Sequence, residues 1–296
     1  MLVDLHVHST ASDGTLSPSD VVIRAKKRAI SLLSLTDHDT TDGLQEFEES
    51  CRKHNLPGLP GIELSAEYYD DVHILGYGMF YNSPEFQEKL TALRKLRDER
   101  NEKMCAKLKT LGYDISIEEV IRESEGDVIA RPHIARVLMK KGYVSSLREA
   151  FDRLIGKGAL AYVPRKTLSP EECIALIQNA GGISVLAHPG EIYLDSEPFD
   201  ILLRKLKDAG LWGLECYSSH HSADEIFGFL KLAAKFGLNP TAGSDFHGEN
   251  RPDVEMGIDV PEHVIPEKLT FLALKKLDNS GGVSVNVHSS FAYKTD

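Results

Sequence analysis

The chain opens on a short apolar stretch, Leu2-Val3-Asp4-Leu5-His6-Val7-His8, that carries two histidines two residues apart. Side chains alternate along a β-strand, so His6 and His8 are expected to project from one face. Near the far end, Asp245-Phe246-His247 supplies a carboxylate and a third imidazole after another apolar stretch. Two imidazoles on one strand face, joined by an acid and an imidazole from a remote strand, make a metal pocket. A chain built this way needs a fold that brings distant strand ends to one place.

The spacing of apolar residues supplies such a fold. Strands are predicted at residues 3–7, 31–36, 58–64, 72–78, 183–187, 211–216 and 239–243, with a helix at 43–54 and further helices between the later strands. The strands are apolar without alternation, and they alternate with helices, which indicates a mainly parallel sheet covered by helices in an α/β protein. Ser17-Pro18-Ser19-Asp20 and Ser169-Pro170-Glu171-Glu172 read as helix starts, with Ser as N-cap and Pro at the first helical position. The repeated Thr-Leu-Ser-Pro at Thr15 and Thr167 is the same helix start used twice.

The middle third breaks the alternation. Leu93, Arg97, Arg100, Met104, Leu108 and Leu111 share one helical face. Short helices follow at 118–123, 132–140 and 146–155. The expectation is a discontinuous barrel, residues 1–96 and 166–296, with a helical insert at 97–165 forming a cap over the substrate. The segment 281–296, with Val283, Val285 and Val287, is either a final strand or a tail.

Bulk properties narrow the class. At 296 residues the chain can bury a large core. No apolar run is long enough to span a bilayer, and the N-terminus lacks the features of a signal peptide. The four cysteines, Cys51, Cys105, Cys173 and Cys216, show no metal spacing and read as reduced thiols of a cytoplasmic protein. A formal net charge of −11 argues against binding long duplex nucleic acid, though not against a small phosphorylated substrate.

The candidate ligands are His6, His8, Asp13, His38, Glu63, His73, His188, Asp245 and His247, each expected at or just beyond the C-terminal end of a strand. In an α/β barrel those ends converge on the active site. A single histidine after a strand is ordinarily a hydrogen-bonded one, but six of the twelve histidines falling there point jointly to a multinuclear site. Mixed imidazole and carboxylate donors suit two or three Mn, Zn or Fe ions. The chemistry expected is attack by a metal-activated hydroxide with no protein nucleophile. Ser244 lacks a base, and His221 or a water protonates the leaving oxygen. Arg131 and His133, at a helix start, are candidates to hold a second phosphate, with a surface ion pair the alternative for Arg131. Arg97 and Arg100 either line the site or snorkel. His220 and His221 either touch substrate or belong to a solvated loop, and Lys26-Lys27-Arg28 is a solvated helix face.

The strings Asp4-Leu5-His6-Val7-His8-Ser9, Ser12-Asp13-Gly14, Thr36-Asp37-His38-Asp39, Gly61-Ile62-Glu63, Ala187-His188-Pro189 and Gly243-Ser244-Asp245-Phe246-His247 resemble the motifs of the PHP (polymerase and histidinol phosphatase) superfamily, in order over nearly the whole chain. The resemblance implies a distorted (β/α)7 TIM-like barrel with three metals. It implies His6, His8, Glu63 and Asp245 at the first, Asp13, His38 and His247 at the second, and Glu63, His73 and His188 at the third. The insert with Arg131-Pro132-His133 resembles a branch that removes the 3′-phosphate of nucleoside 3′,5′-bisphosphates or trims short 5′-phosphorylated RNA. The alternatives are a histidinol-phosphate phosphatase, an exonuclease module of a polymerase, and a non-catalytic metal-binding regulator.

Overall fold

The computed structural model describes residues 1–68, 71–124, 128–164, 166–192 and 196–278. The segment 281–296 lies outside them. In chain order the elements are β1 (Leu2–Val7), α1 (Pro18–Lys27), β2 (Leu32–Leu35), α2 (Leu44–His54), β3 (Gly58–Glu67), β4 (Asp71–Tyr77), α3 (Pro84–Thr110), α4 (Ile117–Glu123) and α5 (Arg131–Lys140). Then come α6 (Leu147–Ala150), which runs into a π-helical turn at Phe151–Ile155, α7 (Pro170–Asn179), β5 (Ile183–Leu186), α8 (Ser196–Asp208), β6 (Gly213–Ser218), α9 (Ala223–Phe236), β7 (Asn239–Gly243), β8 (Ile258–Asp259) and α10 (Glu267–Asp278). The helix starts behave as their sequences require. Ser17 Oγ accepts from Asp20 N, and Ser169 and Glu172 form a reciprocal capping box at the start of α7.

The strands form one sheet in the order β7-β6-β5-β4-β3-β2-β1-β8, rolled into a nearly closed barrel. β1, β2 and β3 run parallel, as do β5, β6 and β7. β4 is reversed and pairs antiparallel with both β3 and β5. The reason lies in the connection: a parallel return needs a crossover of a dozen or more residues, and only residues 68–70 separate β3 from β4. The eighth strand is the two-residue β8, antiparallel to β1. It pairs with Leu2 and Val3, at the end of β1 away from His6 and His8. The opposite end of the seam is joined by Asp245 N–H to His6 O and His8 N–H to Phe246 O, each 2.9 Å. The barrel therefore closes at the rim where the ligand strings lie.

Inside the barrel, Val3, Leu5, Leu32, Leu59, Leu75, Tyr77 and Val185 pack together. Tyr77, fully buried, donates its hydroxyl to Leu5 O at 2.8 Å and so braces β4 against β1 across the interior. A second core is made by Met104, Leu108, Ile134, Leu138, Leu154 and their neighbours, drawn from α3 to the π-turn. Helix α3 is 27 residues long and passes position 97 without a break. Its first half gives Phe86, Leu90 and Leu93 to the barrel core, and its second half gives Met104, Cys105 and Leu108 to the helical one. Leu111, read as part of the buried face, is instead 43% exposed, because the helix has already ended at Thr110.

Removing the hydroxyl that ties β4 to β1 is expected to cost about 1 kcal/mol, the usual net worth of one neutral buried hydrogen bond. Tyr77→Phe should lower the urea midpoint accordingly and leave the far-ultraviolet circular dichroism spectrum unchanged.

Candidate metal centre

The nine expected ligands meet at one rim of the barrel, but they do not all sit at C-terminal strand ends. Glu63 lies within β3, which continues to Glu67. His73 is near the start of β4, opposite Ser65. Because β4 is reversed, its beginning lies at the rim where the parallel strands end, so His73 reaches the same place from the other direction. In β1 the register slips between Asp4 and Val7, a bulge that bends the strand where His6 sits.

Glu63 is the hub. Its Oε1 lies 2.8 Å from His73 Nδ1, 3.2 Å from His188 Nε2 and 3.3 Å from His6 Nε2. Its Oε2 lies 2.9 Å from His38 Nδ1 and 3.2 Å from His8 Nε2. Asp245 Oδ1 completes one group, 3.4 Å from His6 Nε2 and 3.2 Å from His8 Nε2. Asp13 Oδ1 organises another, 3.3 Å from His247 Nε2 and 3.9 Å from both His38 Nε2 and His8 Nδ1. Three donor sets thus come within coordinating reach: His6, His8, Glu63 and Asp245; His8, Asp13, His38 and His247; and His38, Glu63 and His73. His188 Nε2 lies 3.1 Å from His73 Nδ1, so it adjoins the third set.

A layer of carboxylates and hydroxyls holds these donors in place. Asp37 accepts from Ser9 N (2.8 Å), Ser9 Oγ (2.6 Å) and Ser12 Oγ (2.6 Å), which fixes the loop that carries Asp13. That loop passes so close to β1 that a Cβ at Gly14 would lie 2.5 Å from His8 O. Asp4 accepts from Ser244 N (2.9 Å), Ser244 Oγ (2.6 Å) and Gly257 N (2.7 Å), fixing the turn that carries Asp245. The Ser244 hydroxyl is therefore committed to Asp4. His188, Asp245 and Asp39 have φ of +24°, +57° and +51°, left-handed backbone that non-glycine residues adopt at a cost. Such strain persists only where surrounding contacts dictate it.

The electrostatics are those of carboxylates packed among imidazoles. Burial pushes Glu63 and Asp13 up, but the surrounding histidines overcome it and hold both well below the usual carboxylate range. Asp245 is held low in the same way, chiefly by Arg251 and then His6 and His247. Burial pushes His8 and His188 down, yet their carboxylate contacts carry both up to about 9. The cluster thus demands positive charge between its acids.

The substrate-side residues divide. A cavity of about 360 Å³ opens from the cluster, lined at its base by Asp13, His38, His73 and His247 and at its walls by Arg97, Arg131, Arg148, Phe151, Asn250 and Arg251. Arg97 and Arg131 therefore face it. Arg97 is also ion-paired to Asp39, and the Arg131 guanidinium lies 5.6 Å from the centre of the Phe151 ring. Arg100 and His133 are buried and do not line the cavity. His133 Nδ1 instead accepts from Ala130 N at 3.1 Å, capping α5. His221 is also turned to the backbone: Nδ1 donates to Cys216 O at 3.1 Å and Nε2 accepts from Gly190 N at 3.2 Å. With both ring nitrogens engaged, it is not placed to protonate a leaving group. His220 sits at the rim, its Nε2 3.1 Å from the Arg251 guanidinium.

Two contributors escape a reading of the sequence. Arg251 pairs with Asp245 Oδ2 and lines the cavity, but nothing in Gly248-Glu249-Asn250-Arg251 signals it. Glu215, fully buried on β6, contacts His6. A signal for it existed, since Gly213-Leu214-Glu215 repeats the form of Gly61-Ile62-Glu63.

A barrel rim that gathers imidazoles and carboxylates within coordinating reach, with no thiolate among them, offers a donor set suited to divalent metals and hydrolytic chemistry. The chain belongs to the PHP-domain family, whose model matches residues 4–184. It is 36% identical over 263 residues to the 3′,5′-nucleoside bisphosphate phosphatase of Chromobacterium violaceum, covering 88% of this chain and 92% of that protein. It is 30% identical over 260 residues to the 5′-3′ exoribonuclease Rnm of Escherichia coli, covering 87% and 88%. A solved Chromobacterium violaceum structure, described as an amidohydrolase with bound sulfate and no metal, superposes with a TM-score of 0.84 at 35% identity, covering 91% of this chain and 96% of that one.

His133 also generates a prediction. Burial, the largest influence, holds its imidazole down at about 4, so it stays neutral in the fold while the unfolded chain takes up a proton below its ordinary value of 6.5. Stability is then present above pH 6.5 and lost as pH falls toward 4, by up to about 3 kcal/mol from this residue. His133→Gln keeps a capping acceptor without the titration. It should lose less stability than the parent between pH 6.5 and 4, measured by urea unfolding.

Proposed function

We propose that this protein hydrolyses phosphate esters of small nucleotides. The preferred substrates are nucleoside 3′,5′-bisphosphates, which lose the 3′-phosphate, and short 5′-phosphorylated oligoribonucleotides. The observation that carries the reading is the cavity itself, which joins the imidazole–carboxylate cluster to a wall with four arginines in a chain of net charge −11. A substrate with two phosphates matches that division: one ester at the cluster, the other against Arg131.

The residues fit two or three divalent cations. His6 Nε2, His8 Nδ1 and Nε2, His38 Nδ1 and Glu63 Oε2 are buried side-chain atoms that make no hydrogen bond. Leaving several buried polar atoms in that state is costly unless a cation takes their lone pairs. In this reading His6, His8, Glu63 and Asp245 hold one ion, Asp13, His38 and His247 a second, and Glu63, His73 and His188 a third, with Mn, Zn or Fe suited to the donors. Such ions lower the pKa of water and offset charge on the phosphoryl oxygens.

The chain's own residues do the rest. Glu63 presents one oxygen to each of two groups of histidines, so it would help to hold more than one ion. Arg251 grips Asp245 Oδ2, which leaves Oδ1 toward His6 and His8, while its place in the cavity wall puts positive charge beside an incoming phosphate. Ser244 does not serve as nucleophile in this reading, since its hydroxyl is held by Asp4. The helical segment at 97–165 acts as a cap that shapes the cavity through Arg131, Pro132, Leu147, Arg148 and Phe151. Cys51, Cys105, Cys173 and Cys216 are buried, and no helix among the described residues is long and apolar enough to cross a membrane. The buried cysteines suit work in a reducing cytoplasm.

The test compares phosphate release from adenosine 3′,5′-bisphosphate and from histidinol phosphate. The bisphosphate should be preferred, and prolonged chelation should abolish turnover until Mn²⁺ is restored. Arg131→Ala should raise KM for the bisphosphate about tenfold to a hundredfold, the worth of a charge-assisted contact. Equal loss on both substrates would overturn the assignment of Arg131, and preference for histidinol phosphate would overturn the substrate class.

A further inference from the structure

Glu215 is a fully buried acid whose carboxylate contacts a ring of the cluster without being in any of its three donor sets. It lies on β6 immediately before a register slip against β7 between Glu215 and Tyr217. The carboxylate contacts residues from two other parts of the barrel rim. Its Oε1 lies 3.2 Å from His6 Nδ1, and its Oε2 accepts the backbone N–H of His188 at 2.7 Å. Those partners come from β1 and from the turn after β5, and His188 is the residue with φ of +24°.

The space for this contact is built into β7. A Cβ on Gly243 would fall 2.3 Å from His6 Cβ and 2.5 Å from Glu215 Oε1. Gly243 has an ordinary strand conformation, so its lack of a side chain answers to this approach and not to backbone geometry.

We propose that Glu215 is a positioning residue that sets the tautomer of His6 and pins the backbone of His188. The inference rests on the metal-site reading above. An ionised carboxylate only accepts hydrogen bonds, so His6 Nδ1 must carry the hydrogen that faces it. In the neutral ring this leaves the lone pair on Nε2, the atom that points between Glu63 and Asp245. A carboxylate behind a ligating imidazole fixes the ring and raises its basicity. The same carboxylate holds the His188 N–H and, with it, a turn whose backbone is left-handed. One side chain thereby orients ligands from two strands that are not neighbours in the sheet.

Glu215→Gln separates this role from plain packing. The amide keeps the size of the side chain but has one acceptor and one donor end. If its oxygen keeps the His188 N–H, its NH₂ faces His6 Nδ1 and favours the tautomer with hydrogen on Nε2. Zinc affinity, by chelator competition on protein stripped and reloaded with zinc, is expected to fall about tenfold to a hundredfold at one ion. Nitrogen-15 histidine spectra of the zinc-loaded protein should show His6 displaced from the tautomer that ligates through Nε2. The melting temperature of the stripped protein should change little. Glu215→Asp, which keeps an acceptor-only group, should recover part of the affinity. Unchanged zinc affinity and spectra in Glu215→Gln would overturn the proposal, as would a loss confined to the melting temperature of the stripped protein. If the parent protein binds zinc with the expected histidine signals but releases no phosphate from any ester, the phosphoesterase reading fails and the role of Glu215 stands.

Discussion

A fully buried carboxylate surrounded by five imidazoles organises this protein. Glu63 cannot sit at the barrel rim as a lone charge, because burying one costs several kcal/mol unless positive charge lies beside it. His6, His8, His38, His73 and His188 approach it from four different strands or strand ends, and each is held by contacts of its own. The arrangement explains why so many acids that are not in the donor sets are buried nearby. Asp4, Asp37 and Glu215 bind main-chain N–H groups and side-chain donors, and they fix the turns that carry the donor residues.

Much of this was legible in the residues. His6 and His8 two apart on an apolar strand, and acids or imidazoles after other apolar runs, gave the cluster its membership. Local chemistry sufficed for the helix starts, because a serine cap three residues before its partner N–H is a short-range device. The reversal of β4 was hidden, since apolar runs carry no direction and only the short connection after β3 reveals it. His73 was therefore assigned to a strand end when it occupies a strand beginning. His133 and His221 were read as substrate contacts from their positions beside a helix start and a strand end. His133 instead gives Nδ1 to a backbone N–H and His221 gives both ring nitrogens to backbone groups, contacts that depend on rotamer and packing and leave no trace in spacing. Arg251 was invisible for a related reason: its partner Asp245 is a neighbour by the course of a loop, not by periodicity.

Charge is distributed to suit the chemistry. The chain as a whole is acidic, which discourages loose association with polyanions. Arginines gather in the cavity wall, where partial burial strengthens their attraction for phosphate.

Helix α3 gives the molecule a mechanical property. It is a single rod anchored by Phe86, Leu90 and Leu93 in one core and by Met104 and Leu108 in the other, with the buried Arg97–Asp39 ion pair riveting its midpoint beside the metal cluster. The helical segment cannot swing away on a hinge at that junction without breaking both the rod and the rivet. The cavity wall that the segment supplies is consequently tied to the barrel through this helix. The arginines that the segment brings to the cavity wall are thereby held at a set distance from the cluster, which acts as a ruler for the spacing of two phosphates.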